Sequence, residues 1–409
     1  MKKKFQLFVA FLTLISTVLA CTFSFQSPPQ PSGDQVATVV AATLQALTPA
    51  VSASATLVPQ AAGLLPHPLY YLGNDNTGLL QVFRVEEDGN TTKQITFEPA
   101  AVSRYDVSIV DGSVVYVANN QLLLINADGS GRRVLVDGGP VDPNNPIEDS
   151  LSNPVFSPDG GTIAYGYKGL NLYNVSTGVS DRVLEKPVVD PVTGATRQGE
   201  LYWPEKYSPD GEKLIITTGI PNSDAIFDAI YYPASKSIVR FTSDSGAFIC
   251  CGEEAWAQDS LSLYAANPTV GMFGSGLWRV DAATGVVTTL LPTDAGSGNF
   301  NLADEPFLAP DGQLYFFFTT ASSPDGMILR SPLQLVQSAP DGVTGRTVLS
   351  SENFQLLNEA LWAPDASLVI VAYAPMQEVY EGGQAEVIFL DGRPSVVLTT
   401  FAQQMKWGP

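Results

Sequence analysis

Phe156-Ser157-Pro158-Asp159-Gly160 returns as Tyr207-Ser208-Pro209-Asp210-Gly211, and the stretch between the two copies sets the period of the whole chain. Looser copies are Trp256-Ala257-Gln258-Asp259, Leu308-Ala309-Pro310-Asp311-Gly312 and Trp362-Ala363-Pro364-Asp365, with Val110-Asp111-Gly112 as a worn member. Their aspartates, at 111, 159, 210, 259, 311 and 365, follow one another at intervals of 48, 51, 49, 52 and 54 residues. Pro-Asp-Gly has turn chemistry: proline presets one dihedral, aspartate bonds the local backbone and glycine accepts positive φ. These aspartates therefore read as structural.

A β-rich run follows each copy, as at Thr162 to Tyr167, Lys213 to Thr218 and Leu368 to Tyr373. A second run comes next (Leu170 to Val175, Leu277 to Asp281, Glu386 to Leu390), then a Gly-containing turn and a third (Val134 to Val136, Val286 to Leu291, Ser395 to Thr400). With the residues before the motif as first strand, each repeat supplies four short antiparallel strands, which is one blade of a β-propeller. The 30 prolines and 35 glycines scattered along 409 residues suit many short strands joined by turns.

The pattern resembles the TolB-like, or WD40-like, propeller repeat of exported bacterial proteins, over about 69–409, on the strength of two clean Ser-Pro-Asp-Gly copies and several worn ones. The expected fold is all-β. The first repeat has strands at Leu69 to Leu72, Leu79 to Val85 and Thr92 to Thr96 but no motif before them. The chain stops at Met405-Lys406-Trp407-Gly408-Pro409, which reads as the start of another copy. Those residues would supply the missing inner strand, giving a seven-bladed β-propeller closed by the C-terminal strand and free of open sheet edges.

Lys2, Lys3 and Lys4 precede an apolar run from Phe5 to Ala20 and then Val18-Leu19-Ala20-Cys21, the layout of a secretory signal peptide. A cysteine at the first mature position resembles the lipobox of bacterial lipoproteins, which implies lipidation of Cys21 and an extracytoplasmic protein held at the cell membrane or outer membrane. Residues 22–64, almost uncharged and rich in Ala, Thr, Val, Ser, Pro and Gln, read as a flexible tether with a span of about 35 Å. The expected organisation is signal peptide 1–20, anchored tether 21–64 and propeller 65–409. The formal charge of −20, or −23 without the first twenty residues, repels nucleic acid and anionic headgroups. An envelope or extracellular protein is the expected partner, and the membrane is met through the lipid anchor only.

Catalytic machinery is sparse. The one histidine, His67, lies between Pro66 and Pro68 and reads as a surface residue, and with it a histidine-based zinc site is excluded. No G-x-S-x-G elbow occurs and the repeats run to the last residue, so the peptidase activity of some family members is not expected. The chain reads as non-enzymatic. Carboxylates are the remaining candidates. Glu253, Glu254, Asp304, Glu305 and Glu359 stand at the entry to successive inner strands, with Asp106 and Glu205 at comparable offsets. Around one mouth of an axial channel such a ring can hold Ca²⁺ or grip a basic ligand, or its side chains point into solvent. The alternative function is accordingly an axial-mouth enzyme, a metal-assisted hydrolase or lyase acting on carbohydrate, or a cation- or carbohydrate-binding propeller.

Cys250 and Cys251, outside the cytoplasm, pair as a vicinal disulfide or pack as two small apolar thiols. Phe156, Tyr207, Trp256, Trp362 and Trp407 share one motif position and read as packing between blades. Segments 137–152, 186–203 and 292–304 read as long loops suited to recognition.

Overall fold

The computed structural model describes residues 63–409 apart from 145, 186–199, 221–225, 243–253, 271–273 and 323–329. The expected signal peptide with Cys21, the tether up to residue 62, residues 186–199 of the expected loop 186–203, the Cys250–Cys251 pair and Glu253 lie outside the described residues, and residues 201–203 of that loop are in a strand, Leu201–Tyr207. Among the described residues every regular element is a β-strand.

Strands β1 (Leu69–Asn74), β2 (Leu80–Val85) and β3 (Thr92–Gln94) pair antiparallel in order. Four antiparallel four-stranded sheets follow. The first holds β4 (Val102–Val107), β5 (Val114–Ala118), β6 (Gln121–Ile125) and β7 (Arg133–Asp137). The second holds β8 (Ser152–Phe156), β9 (Thr162–Gly166), β10 (Gly169–Asn174) and β11 (Ser180–Glu185). The third holds β12 (Leu201–Tyr207), β13 (Leu214–Gly219), β14 (Ile226–Tyr232) and β15 (Ser237–Arg240). The fourth holds β16 (Glu254–Trp256), β17 (Ser262–Asn267), β18 (Gly276–Asp281) and β19 (Val287–Leu291).

A five-stranded sheet comes next: β20 (Asp294–Gly296), β21 (Asn299–Leu308), β22 (Leu314–Ser322), β23 (Gln334–Ser338) and β24 (Thr347–Val348). The last strands are β25 (Leu357–Trp362), β26 (Leu368–Tyr373), β27 (Gly383–Phe389) and β28 (Val396–Trp407). β28 serves two neighbours. Its first half pairs with β27, from Val396 opposite Val387 to Ala402 opposite Gly383, and its second half pairs with β1, where Gln403 faces Leu72 and Trp407 faces Leu69. The two ends of the repeat region thus meet in one seven-stranded sheet.

The repeated motif forms the turn between the first two strands of a sheet. In the clean copies Asp159 and Asp210 accept the backbone N–H of Gly161 and Glu212, at 2.9 and 3.0 Å, and the hydroxyls of Ser157 and Ser208. Every worn copy keeps the aspartate bond to the N–H two residues on, at Ser113, Leu261, Gln313 and Ser367. Gly160 and Gly211 carry φ of 69° and 73°; where glycine is lost, Ser260 and Ala366 adopt 59° and 58°. The turn survives because the aspartate fixes it locally.

Core packing explains the continuous apolar runs after each motif. β13 is buried along its whole length. Leu214 and Ile216 enter the core shared with β8–β11, while Ile215 enters the core shared with β16–β19. β26 divides likewise, Val369 and Val371 to one side and Leu368 and Ile370 to the other. A strand sandwiched between two sheets has no polar face, so its period of two does not show as alternation. Outer strands such as β7 and β11 carry exposed charge instead.

Residues 292–304 depart from the expected loop. β20 and the start of β21 form a hairpin, Asp294 opposite Phe300, that lengthens the sheet. Gly296, Ser297 and Gly298, all at positive φ, make the reversal, and Leu302 and Ala303 are buried. Segment 137–152 does connect two strands, but it is pinned. The Asn120 amide donates to the carbonyls of Gly139 and Asp149 and its carbonyl accepts the N–H of Leu151, while Lys168 pairs with Asp149 at 3.2 Å.

Candidate functional site

The innermost strands β4, β8, β12, β16, β21, β25 and β28 all line one cavity of about 450 Å³, so this cavity lies where the sheets converge. The pairing of these strands slips near it, between Ser152 and Val155, Pro204 and Lys206, Asp304 and Phe307, and Leu357 and Glu359. Such bulges bend a strand and redirect its side chains. Asn153, Glu305 and Gln404 have φ of 45°, 48° and 53° at or beside these points. Pro154 and Pro204 stand here too, on edge strands that can spare an N–H, and Pro306 lies on β21 beyond the residues that pair with β20.

The carboxylates singled out in the sequence have distinct fates. Asp106, in β4, accepts the N–H of Phe156 in β8 at 2.7 Å and pairs with Lys406 at 3.3 Å. Glu305, in β21, accepts the N–H of Ala360 in β25 at 2.9 Å. Glu359, in β25, accepts the N–H groups of Gln404, at 2.7 Å, and Met405, both in β28. Each reaches forward to the backbone of the next innermost strand. Glu205, in β12, looks back, accepting from the amide of Asn153 in β8 at 2.9 Å, with the Thr217 hydroxyl oxygen 3.3 Å away. Asp304 accepts the N–H of Glu305 at 3.0 Å and lines a separate cavity of about 120 Å³ with Arg330 and Tyr380. Glu254 opens β16 and is buried, at 6% exposure.

Other groups complete the clasp. The indole N–H of Trp256 donates to the carbonyl of Lys206, that of Trp362 to Glu305 at 3.0 Å, and that of Trp407 to Trp362 at 2.7 Å. Tyr105 in β4 donates to the carbonyl of Gln404 at 2.6 Å, which joins β28 back to the second set of strands. Lys206 donates to the backbone carbonyl of Glu254 at 3.2 Å.

The surrounding protein controls the electrostatics. Burial pushes the Glu205 carboxyl up to about 7, and the charge of Glu254 adds to the rise. Burial also lifts Glu359 to about 7, against the pull of its two N–H donors and of Lys406. Glu305 is held well above the ordinary carboxylate range by burial and then by the charges of Asp304 and Glu359. These three shifts follow from the surrounding protein acting first and neighbouring charges second.

The sequence reading missed Asp228, Asn153, Thr217 and Gln404. Asp228 had a visible signal, a lone charge in the apolar run Ile226-Phe227-Asp228-Ala229-Ile230. His67 stands 6.4 Å from the ring of Trp407, centroid to centroid. Among the described residues no three His, Cys, Asp or Glu side chains converge as a metal site does.

The fold is all-β, built of antiparallel sheets in the manner of a TolB-like propeller. No family model matches the sequence, and no curated protein does. Among solved structures, TolB from Acinetobacter baumannii is 15% identical, with 81% of this chain and 79% of that one covered at a TM-score of 0.42. A putative TolB from Agrobacterium tumefaciens is 13% identical, covering 82% and 91% at 0.38. Porphyromonas gingivalis dipeptidyl peptidase 4 is 12% identical, covering 78% of this chain and 48% of that one at 0.48. At such identities nothing of the neighbours' activities passes to this chain.

Proposed function

We propose that this protein is a seven-bladed propeller that acts by recognition rather than catalysis, held outside the cytoplasm by a lipid on Cys21 and a tether over 21–64. The blade count rests on β28: divided between β25–β27 and β1–β3, it turns the six sheets into seven sets of strands. One observation carries the functional reading. Glu305 and Glu359, which line the central cavity, and Asp106, on another of the strands around it, each give a carboxylate oxygen to a backbone N–H of the next innermost strand. A general acid or base needs an oxygen within reach of substrate; these serve as ties between blades. Recognition then falls to segments between strands of the rigid scaffold, in particular 137–152 and the stretch from 186 up to β12.

The test is cross-linking of the native protein in intact cells, followed by affinity capture and mass spectrometry. A stoichiometric envelope or extracellular protein, lost when either segment is substituted and kept in Glu359→Gln, is the expected result. A bait that captures no protein, or whose catch ignores both segments, overturns the reading.

A further inference from the structure

Asp228 lies on β14 with 1% of its surface exposed. Its partner across the sheet is Thr217 on β13, whose hydroxyl donates to Oδ1 at 2.7 Å. That hydroxyl has one proton, so it cannot also serve Glu205, whose Oε1 stands 3.3 Å away. The other oxygen, Oδ2, is buried and has no donor among the described residues. The charged group that acts on Asp228 most strongly is the carboxyl of Glu254, the first residue of β16 in the next sheet, itself buried at 6% exposure. Two acids therefore face each other across the seam between β12–β15 and β16–β19, in a place water does not reach.

The charged groups around this seam do not relieve it. From β12, Glu205 adds a third carboxyl, and Lys206 donates to the backbone carbonyl of Glu254. From β21, Glu305 is a further acid beside Lys206. From β4, Arg104 acts on Glu205 and stands 4.0 Å from Glu381. From β28, Lys406 pairs with Asp106. From β8, the Asn153 amide serves Glu205. Two ionised carboxylates facing each other at low polarity repel strongly, and an unmet buried oxygen adds its own desolvation penalty.

We propose that Asp228 keeps its proton at neutral pH and donates it to Glu254, and that this acid pair is a clasp between two adjacent sheets that alkaline pH releases. The proton on Asp228 Oδ2 donates to Glu254, meeting the orphan oxygen and removing the repulsion together. Its loss leaves two anions facing each other at the wall of the central cavity, which Glu254 lines. Burial, followed by the charge of Glu254, holds Asp228 well above the ordinary carboxylate range, in accord with the geometry. The direction follows from linkage. The folded state keeps a proton that the unfolded chain gives up near pH ~4, so stability is highest in acid and falls as pH rises towards the folded value.

The experiment is thermal unfolding of the full chain from acid to alkaline pH, with infrared spectra of the folded protein at neutral pH. Asp228→Asn keeps the shape and supplies a permanent donor to Glu254. The parent is expected to lose melting temperature as pH rises and to show a protonated-carboxyl band. Asp228→Asn is expected to lose a distinct component of that pH-dependence and the part of the band that belongs to the pair, while the components and bands of Glu205 and Glu359 remain. Should Asp228→Asn fail to fold, Glu254→Gln, which donates from the opposite side, is read in the same way. An unchanged slope with an unchanged band in the variant that folds overturns the proposal.

Discussion

Glu359 holds the backbone N–H groups of Gln404 and Met405, with Gln404 45 residues further along the chain. Gln404 sits at φ 53°, in β28 just past the point where that strand leaves β27 for β1. One carboxylate therefore fixes the place where the last strand changes partners.

Removal of residues 401–409 is expected to abolish cooperative unfolding at the parent's temperature, because β1 then has no neighbour on its inner edge. Glu359→Ala, which leaves two buried N–H groups unmet, is expected to cost about 2–5 kcal/mol. Calorimetry and urea titration read both. A truncated chain that melts like the parent would show that closure by β28 contributes nothing.

The same carboxyl gives a pH-dependence of defined sign. In the unfolded chain a glutamate ionises near ~4.3, but in the folded protein Glu359 holds its proton up to about 7. The folded state binds more protons across that window, so its contribution to stability falls as pH rises from ~4 to about 7 and is level beyond. Glu359→Gln is expected to remove this component and flatten the curve. A urea midpoint followed across the window checks it, and a steeper fall in Glu359→Gln would contradict it.

Trp362 donates to Glu305 at 3.0 Å, packs parallel to Phe307 at 5.8 Å between centroids, and also touches Tyr315 and Phe317. Trp362→Phe retains much of the packing and loses the N–H, at an expected cost of about 1–2 kcal/mol. Trp256 reaches Lys206 at a longer 3.3 Å, and Trp256→Phe is expected to cost less. Denaturant midpoints of the two variants give the order directly.

Gly160 lies at φ 69°, and a Cβ there would stand 3.3 Å from the Ser108 hydroxyl. Gly160→Ala is expected to destabilise by about 1–2 kcal/mol through left-handed backbone strain. Asp159→Ala, which removes the bond that fixes the turn, is expected to cost about as much again in the double variant. Equal stability of parent and Gly160→Ala in urea would show that the turn relaxes.

Much of this architecture was legible in the residues because the bonds that make it are short-range. Asp159 closes its turn on Gly161, and the apolar run of β13 announces a strand covered on both faces. The pairing of the chain's two ends was legible as well, as a first repeat lacking a strand and a last repeat consisting of little else. Segment 292–304 was not, because Gly296, Ser297 and Gly298 read as loop while the hairpin they turn is stabilised by packing further along β21.

The sequence by itself determined the repeat, its turns and the strands between them, since each depends on dihedral preferences and hydrogen bonds closed within a few residues. Only the tertiary structure decided what the inner carboxylates do. Asp106, Glu305 and Glu359 find their partners 50, 55 and 45 residues away, on the backbone of a neighbouring strand, and Asp228 meets Glu254 across a seam between sheets. Spacing places such side chains at one end of a strand; the bulge that aims them and the sheet that excludes water around them exist only once the blades have packed.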